Sequence, residues 1–309
     1  MYRTLIVENG EELSVEHNVL QVKNRAEAVP IPLDDIYCIV LDNNRTVIST
    51  WAINAICSCG GHMVICNEKH MPSVVIYPEM IHYKPYAVVK EQVQMTEGVK
   101  NALWDKIVRA KLCNQAFVLE KSCGEKDIPN RIRQLAEEVK EGDEGNREGI
   151  GAKMYFRRLF GEEFIRMNDD GINSAMNYGY AILRSAVVKT LYLYGYYPAL
   201  GIHHIGIYNP FNLGDDLMEP FRPVIDMWVD LHHLELESEL SKEQRHQLVN
   251  LLNVNLEYNH KKMKLRNVIN AYIKSFTSAI QSEDIRKFNP PELNDVIMEE
   301  MRGGICHDL

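Results

Sequence analysis

The stretch Val74-Val-Ile-Tyr-Pro-Glu-Met-Ile-His-Tyr-Lys-Pro-Tyr-Ala-Val-Val-Lys-Glu-Gln-Val93 decides the fold class, because the period of its apolar residues changes within it. Up to Tyr77 it is a short β-prone run, closed by Pro78. From about Lys84 the apolar positions Val88, Val89, Val93, Met95, Val99, Leu103 and Ile107 recur at helical spacing. That spacing predicts one long helical stretch over 86–119. Upstream, residues 5–7, 15–22, 36–41, 46–49 and 62–66 read as strands separated by Asn-Gly, Asp-Asn-Asn and Gly-Gly turn signals. Among them only 50–58 suits a helix, capped by Ser49 or Thr50 and stopped by Gly60-Gly61. Downstream, helices are expected from Asp127 to about Glu141 and over 147–160, 173–196, 213–239, 242–256 and 262–281. A short helix and a loose tail follow, around Asn289-Pro-Pro291 and Gly303-Gly304. The expected class is α+β: a small N-terminal β-sheet domain with one short helix over 1–80, then a larger all-α-helical domain over 81–309.

Composition bounds the function. The 309 residues are 46% hydrophobic and 25% charged, the balance of a soluble globular chain with a sizeable core. The formal net charge is -9, which argues against a protein that coats nucleic acid or anionic membrane, though not against a local basic track. The N-terminus meets Glu8 too early for a signal peptide, and no run of about 18 apolar residues predicts a membrane span. Seven cysteines without a regular framework fit a reducing cytoplasm. Cys57, Cys59, His62 and Cys66 lie close together, but Cys57-Ser-Cys59 is not structural-zinc spacing and its neighbours are apolar. Buried free thiols are the expectation there.

Three places in the helical half set polar residues against small or apolar ones. In Asn146-Arg-Glu-Gly-Ile-Gly-Ala-Lys-Met-Tyr-Phe-Arg-Arg158, Glu148 begins a helix and Gly149, Gly151 and Ala152 follow within a turn. Helical glycines cost roughly 1 kcal/mol each, so another helix or a ligand is expected to approach closely there. In Leu200-Gly-Ile-His-His204, adjacent histidines in an extended segment point different ways, so at most one faces a given site. In Asp215-Asp-Leu-Met-Glu-Pro-Phe-Arg-Pro223, Asp215, Asp216 and Glu219 fall on one helical face, an arrangement with no structural benefit of its own. Glu148, His204 and Glu219, with Asp216 nearby, make an oxygen-rich set with one imidazole, suited to Mg²⁺ or Mn²⁺. Such an ion stabilises the attacking and leaving oxygens of a phosphodiester displacement. Without it, an acidic site would repel phosphate.

These three segments resemble the motifs of the CRISPR-associated endonuclease/integrase of spacer acquisition. Leu41-Asp-Asn-Asn-Arg-Thr-Val-Ile-Ser49 and Cys66-Asn-Glu-Lys-His-Met-Pro-Ser73 look like the members found in type II systems. The resemblance covers nearly the whole chain. It implies an N-terminal β domain that dimerises and a helical catalytic domain with a divalent-metal site on Glu148, His204 and Glu219. Asp216 and His203 would be outer-shell residues. It further implies attack of a DNA fragment's 3′-hydroxyl on a phosphodiester at the repeat boundary of the CRISPR array. His204 would act as third ligand or as proton donor to the leaving oxygen. Implied too are hydrolysis of branched or single-stranded DNA, double-stranded DNA as substrate, and a homodimer. The partners would be a small ferredoxin-like adaptation protein and, in type II systems, the effector nuclease.

Arg147, Lys153, Arg157, Arg158 and Arg166, extended by Lys189 and Arg222, form the candidate DNA track, since phosphate contacts need Lys or Arg. About half of them are expected to pair instead with neighbours such as Glu162, Glu163, Asp169 or Asp170. Two other classes compete with this reading: a non-catalytic scaffold binding DNA and a partner, and a phosphohydrolase of small esters. The second lacks a His-Asp doublet or a phosphate-binding Gly loop. Tyr192, Tyr194, Tyr196 and Tyr197 read as helix-packing residues rather than base-stacking ones.

Overall fold

The computed structural model describes residues 3–9, 12–24, 28–79 and 82–302. The chain divides into two compact units, and it passes from one to the other between Ile81 and His82. The first unit contains β1 (Arg3–Val7), β2 (Glu12–Glu16), β3 (Val19–Lys23), β4 (Ala28–Pro32), β5 (Ile36–Leu41), β6 (Val47–Ile48), α1 (Thr50–Ser58), β7 (His62–Cys66) and β8 (Pro72–Ile76). One four-stranded sheet runs β1-β5-β7-β8, and the other runs β4-β3-β2-β6. In the first, β1, β5 and β7 are parallel and β8 is antiparallel to β7. Parallel strands are buried on both faces, and β5 is buried at all six positions. Leu13, Leu20, Ile39, Ile56 and Met63 meet in one core.

The expected strand over 15–22 is two strands. His17 and Asn18 both adopt positive φ (50° and 64°), the two-residue turn that joins antiparallel β2 and β3. The helix over 50–58 forms with Ser49 as its cap, its side chain accepting from the Ala52 amide at 3.1 Å. Strand β4, rich in proline, was not legible as a strand, because Pro30 and Pro32 hide its pattern and only an edge position tolerates them. His62 is buried, with Nδ1 3.0 Å from the Tyr37 carbonyl and its ring stacked against Tyr77. Of the thiols expected to be buried, Cys66 is, while Cys57 and Cys59 are half-buried at the end of α1. Cys306 lies outside the described residues.

The second unit holds α2 (Pro85–Gln94), α3 (Glu97–Cys123), α4 (Asp127–Glu137), α5 (Arg147–Phe160), α6 (Gly171–Leu193), α7 (Asn212–Met218), α8 (Arg222–His232), α9 (Lys242–Asn250), β9 (Asn255–Tyr258), β10 (Lys261–Lys264), α10 (Leu265–Gln281) and α11 (Asp295–Arg302). The long helix expected over 86–119 breaks at Met95 and Thr96. Met95 is extended, and the Thr96 hydroxyl accepts from the Val99 amide to restart the chain as α3. Helix α3 is buried on several sides, with Leu103, Trp104, Ile107, Lys111, Leu112, Asn114 and Leu119 all inside, and α4, α5 and α8 pack on it. The helices expected over 242–256 and 262–281 give way in part to the hairpin β9–β10, which the apolar period does not distinguish from helix ends. The expected loose tail is corrected for 288–302: Phe288, Leu293 and Ile297 are buried, and Asn114 binds the Pro291 carbonyl and the Leu293 amide. No described helix is long and apolar enough to cross a membrane.

Candidate active site

Lys111, on the apolar stripe of α3 one turn after Ile107, is only 7% exposed. A buried ammonium needs counter-charges, and it has two: ion pairs to Glu148 on α5 and to Glu219 between α7 and α8. Local structure fixes Glu148. Asn146, with φ 47°, caps α5 through the Gly149 amide at 3.2 Å. The buried Asp143 carboxylate accepts from the amides of Arg147 (2.8 Å) and Glu148 (3.0 Å). Gly151 lets α5 sit against α3, since a Cβ there would fall 2.2 Å from Leu112 Cδ2. The helix expected to approach the glycine cluster is thus α3.

Glu219 opens a 3-10 turn, Glu219–Phe221, between α7 and α8. Pro220 cannot donate to a continuing helix, so the chain bends where the carboxylate sits. Glu219 is 5% exposed. Its Oε1 lies 2.9 Å from Arg222 Nε, and the Arg222 guanidinium covers the Tyr180 ring at 4.7 Å. Burial would raise the Glu219 pKa, but Arg222 and Lys111 overcome it and hold the carboxyl down at about 2. Burial would likewise lower Lys111, and Glu219 and Glu148 outweigh it, so its pKa rises. Two basic and two acidic side chains thus meet here and formally balance. Glu219 Oε2 faces the ammonium as an ion pair without a well-directed hydrogen bond.

His204 is held by Asp216. That fully buried carboxylate accepts from the amides of Ile202 (2.7 Å), His203 (3.1 Å) and His204 (3.1 Å), and sits 2.6 Å from His204 Nδ1. The Asp216 hydrogen bond raises the His204 pKa, against the effect of burial. With Nδ1 occupied, Nε2 is the nitrogen available to a ligand. Gly201 makes this turn possible, since a Cβ would fall 2.2 Å from the His204 carbonyl oxygen and 2.9 Å from Asp216 Oδ2. Trp104, on α3, stacks on His203 (4.0 Å between centroids) and meets His204 edge-on at 5.8 Å. The expectation that the adjacent histidines point different ways is corrected: the chain bends at 202–203, and the two rings lie 5.6 Å apart at 87°, both against Trp104. An open cavity of about 420 Å³ reaches His204 and is lined also by Gln92, Lys100 and Asn212.

The acidic face expected of Asp215, Asp216 and Glu219 is corrected: the three carboxylates go to three different partners. Asp215 takes Asn209 (2.8 Å) and Arg184 (3.8 Å), Asp216 takes the histidine turn, and Glu219 takes Lys111 and Arg222. Among the described residues no three His, Cys, Asp or Glu side chains are gathered closely enough to hold a metal ion. What exists is a pair of carboxylates directed at one cation, with His204 close enough for its charge to act on Glu219. Two oxygen donors and one imidazole nitrogen fit a hard divalent ion in chemistry.

The candidate DNA residues scatter. Lys189 is buried in α6, so the expectation that it faces phosphate is corrected. Arg222 is engaged inside the site. Arg147 pairs with Glu138 at 3.3 Å, Arg157 with Glu162 at 3.5 Å and Arg158 with Glu125 at 2.8 Å. Arg166 binds Asn173 and Asn177 rather than an acid, and Lys153 is exposed. Tyr196 is core, packed on Phe276. Sequence reasoning missed Lys111, Trp104 and Asp143. A signal for Lys111 was present: a lysine four residues after Ile107, on a stripe that the helical period assigns to the interior.

A strand-rich unit followed by a helical unit of this order is shared with solved structures of DNA-integrating and CRISPR-associated proteins. "Casposase bound to integration product" superposes with a TM-score of 0.74 at 16% identity, covering 99% of each chain. The "Cas6-RT-Cas1–Cas2 complex" gives 0.73 at 17% identity, over 94% of this chain and 36% of that one. These likenesses establish the fold. The family model described as CRISPR associated protein Cas1 matches residues 4–268, and the chain belongs to that family. It is 35% identical over 295 residues to the CRISPR-associated endonuclease Cas1 of Neisseria meningitidis serogroup C (strain 8013), covering 94% of this chain and 96% of the relative.

Proposed function

We propose that the chain is a metal-dependent DNA endonuclease and integrase that inserts short DNA fragments into a CRISPR array in the cytoplasm. The observation that carries this reading is the convergence of Glu148 and Glu219, 71 residues apart in sequence, on one buried cation. The endonuclease name of the Neisseria relative supports the activity, and the casposase structure supports integration as its form. Glu148, Glu219 and His204 Nε2 would hold Mg²⁺ or Mn²⁺. Once bound, the ion would supply stabilisation of charge on the scissile phosphate.

The chain's own groups do the rest. A fragment 3′-hydroxyl loses its proton and forms the new P–O bond as the bond to the leaving 3′-oxygen breaks, and that oxygen takes up a proton. With its pKa held at about 2, Glu219 stays ionised at any working pH, fixed by Arg222. Asp216 orients His204 and raises its pKa, so Nε2 serves as ligand or, when protonated, as donor to the leaving oxygen. Lys153, exposed on α5, would guide double-stranded DNA, with Arg147 and Arg157 exchanging Glu138 and Glu162 for phosphate. The Cas1–Cas2 complex among the structural relatives supports an accessory adaptation partner, and in this proposal that partner is a small ferredoxin-like protein. A homodimer through residues 1–80 and an effector nuclease complete the proposed assembly.

The test is integration of a labelled fragment into supercoiled repeat DNA with the small partner, in Mn²⁺ or Mg²⁺ and in EDTA. Strand transfer should need the metal and vanish in Glu148→Ala, His204→Ala and Glu219→Ala proteins that remain folded. Full activity in Glu219→Ala would sink the site.

A further inference from the structure

A divalent ion and the Lys111 ammonium cannot both stand between Glu148 and Glu219. The ammonium pairs with both carboxylates, and with Arg222 beside Glu219 the cluster is already neutral. Lys111 stands on a helix packed by α4, α5 and α8, so its backbone is fixed and only its four-carbon stem can move. A second buried group gives that stem somewhere to go. Gln115, one turn further along α3 and 1% exposed, has an Oε1 with no hydrogen-bond partner among the described residues. That oxygen lies on the α5 side, 3.9 Å from where a Cβ of Gly151 would be. An unpaired buried acceptor is costly, and here it is next in line on the same helix face as the lysine.

We propose that Lys111 is a placeholder cation: its ammonium holds Glu148 and Glu219 together in the metal-free protein and swings to Gln115 Oε1 when a divalent ion binds between them. Lys111 is thus a positioning residue that preserves the site's shape while it is empty and competes with the ion that fills it. The inference rests on the metal-dependent reading above and adds the residue that sets the affinity.

The experiment measures Mn²⁺ affinity by titration calorimetry and melting temperature in EDTA, on the full chain and with no DNA present. Lys111→Met leaves the buried Glu219 carboxylate and the half-buried Glu148 carboxylate facing each other. In EDTA it should melt about 10 °C below the parent, bind Mn²⁺ about tenfold more tightly or better, and regain stability as Mn²⁺ is added. The double variant Lys111→Met/Glu148→Gln, with the repulsion removed, should recover the EDTA melting temperature and lose the gain in affinity. Gln115→Leu, with no acceptor for the displaced ammonium, should weaken Mn²⁺ binding. Unchanged or weaker Mn²⁺ binding in Lys111→Met, with binding intact in the parent, would overturn the placeholder role alone. Unchanged affinity in Gln115→Leu would overturn Gln115 as the receiving group. Absence of Mn²⁺ binding in every protein would overturn the metal-dependent reading itself.

Discussion

Glu219 shows how one carboxylate carries both stability and chemistry. Glu219→Gln leaves Lys111 and Arg222 sharing one fewer negative charge in a buried cluster, which should cost about 3–5 kcal/mol, measured by denaturant unfolding in EDTA. Strand transfer should fall by about 10³-fold or more. Asp226, behind it on α8, is a separate case. The Tyr180 hydroxyl donates to its Oδ1, yet burial pushes its pKa up to about 6 from the ordinary 3.8. A carboxyl whose folded pKa is raised adds stability that is full below about pH 4 and is lost as pH rises through about 6. Asp226→Asn should therefore remove that loss and leave the protein on the order of 2–3 kcal/mol more stable relative to the parent at pH 8 than at pH 4. Parallel unfolding curves for parent and variant across that range would contradict this.

At the scale of elements, the site depends on how three segments are ended and spaced. Asp143 holds the first amides of α5, so Asp143→Ala should cost about 1–2 kcal/mol and lower activity more than a distant cap loss such as Ser241→Ala on α9. Gly201→Ala drives a Cβ into the His204 carbonyl oxygen. It should abolish strand transfer while the melting temperature drops by only a few degrees, checked by assaying both on one preparation. The sequence showed where α1 and α5 lie because caps and period agree there. It did not show the break at Thr96, where the apolar period runs through from α2 to α3, nor the hairpin β9–β10, whose strands are only four residues each. Glu148, His204 and Glu219 stood out as unusual residues in unusual places. Their partners did not, because Lys111, Trp104 and Asp143 look ordinary until the fold closes around them.

Over the whole molecule, the charge of -9 sits unevenly. The segment from Glu283 to Leu309 has seven acids against three bases, and most of the candidate DNA arginines are already engaged by side chains of their own unit. The isolated protein is therefore expected to bind DNA weakly, with affinity falling steeply between 50 and 200 mM salt as a logarithmic plot would display. Tight binding that ignores salt would contradict it.

The sequence by itself determined the α+β class, the change from strand to helix near residue 80 and the three polar segments, because apolar period and turn chemistry act over a few neighbouring residues. Only the tertiary structure decided that Lys111 joins Glu148 to Glu219, that Asp216 serves the histidine turn instead of an acidic cluster, and that Lys189 is buried. Ion pairs between residues tens of positions apart depend on how α3, α5 and α7 pack, and that packing brings an ordinary helix lysine to the centre of the site.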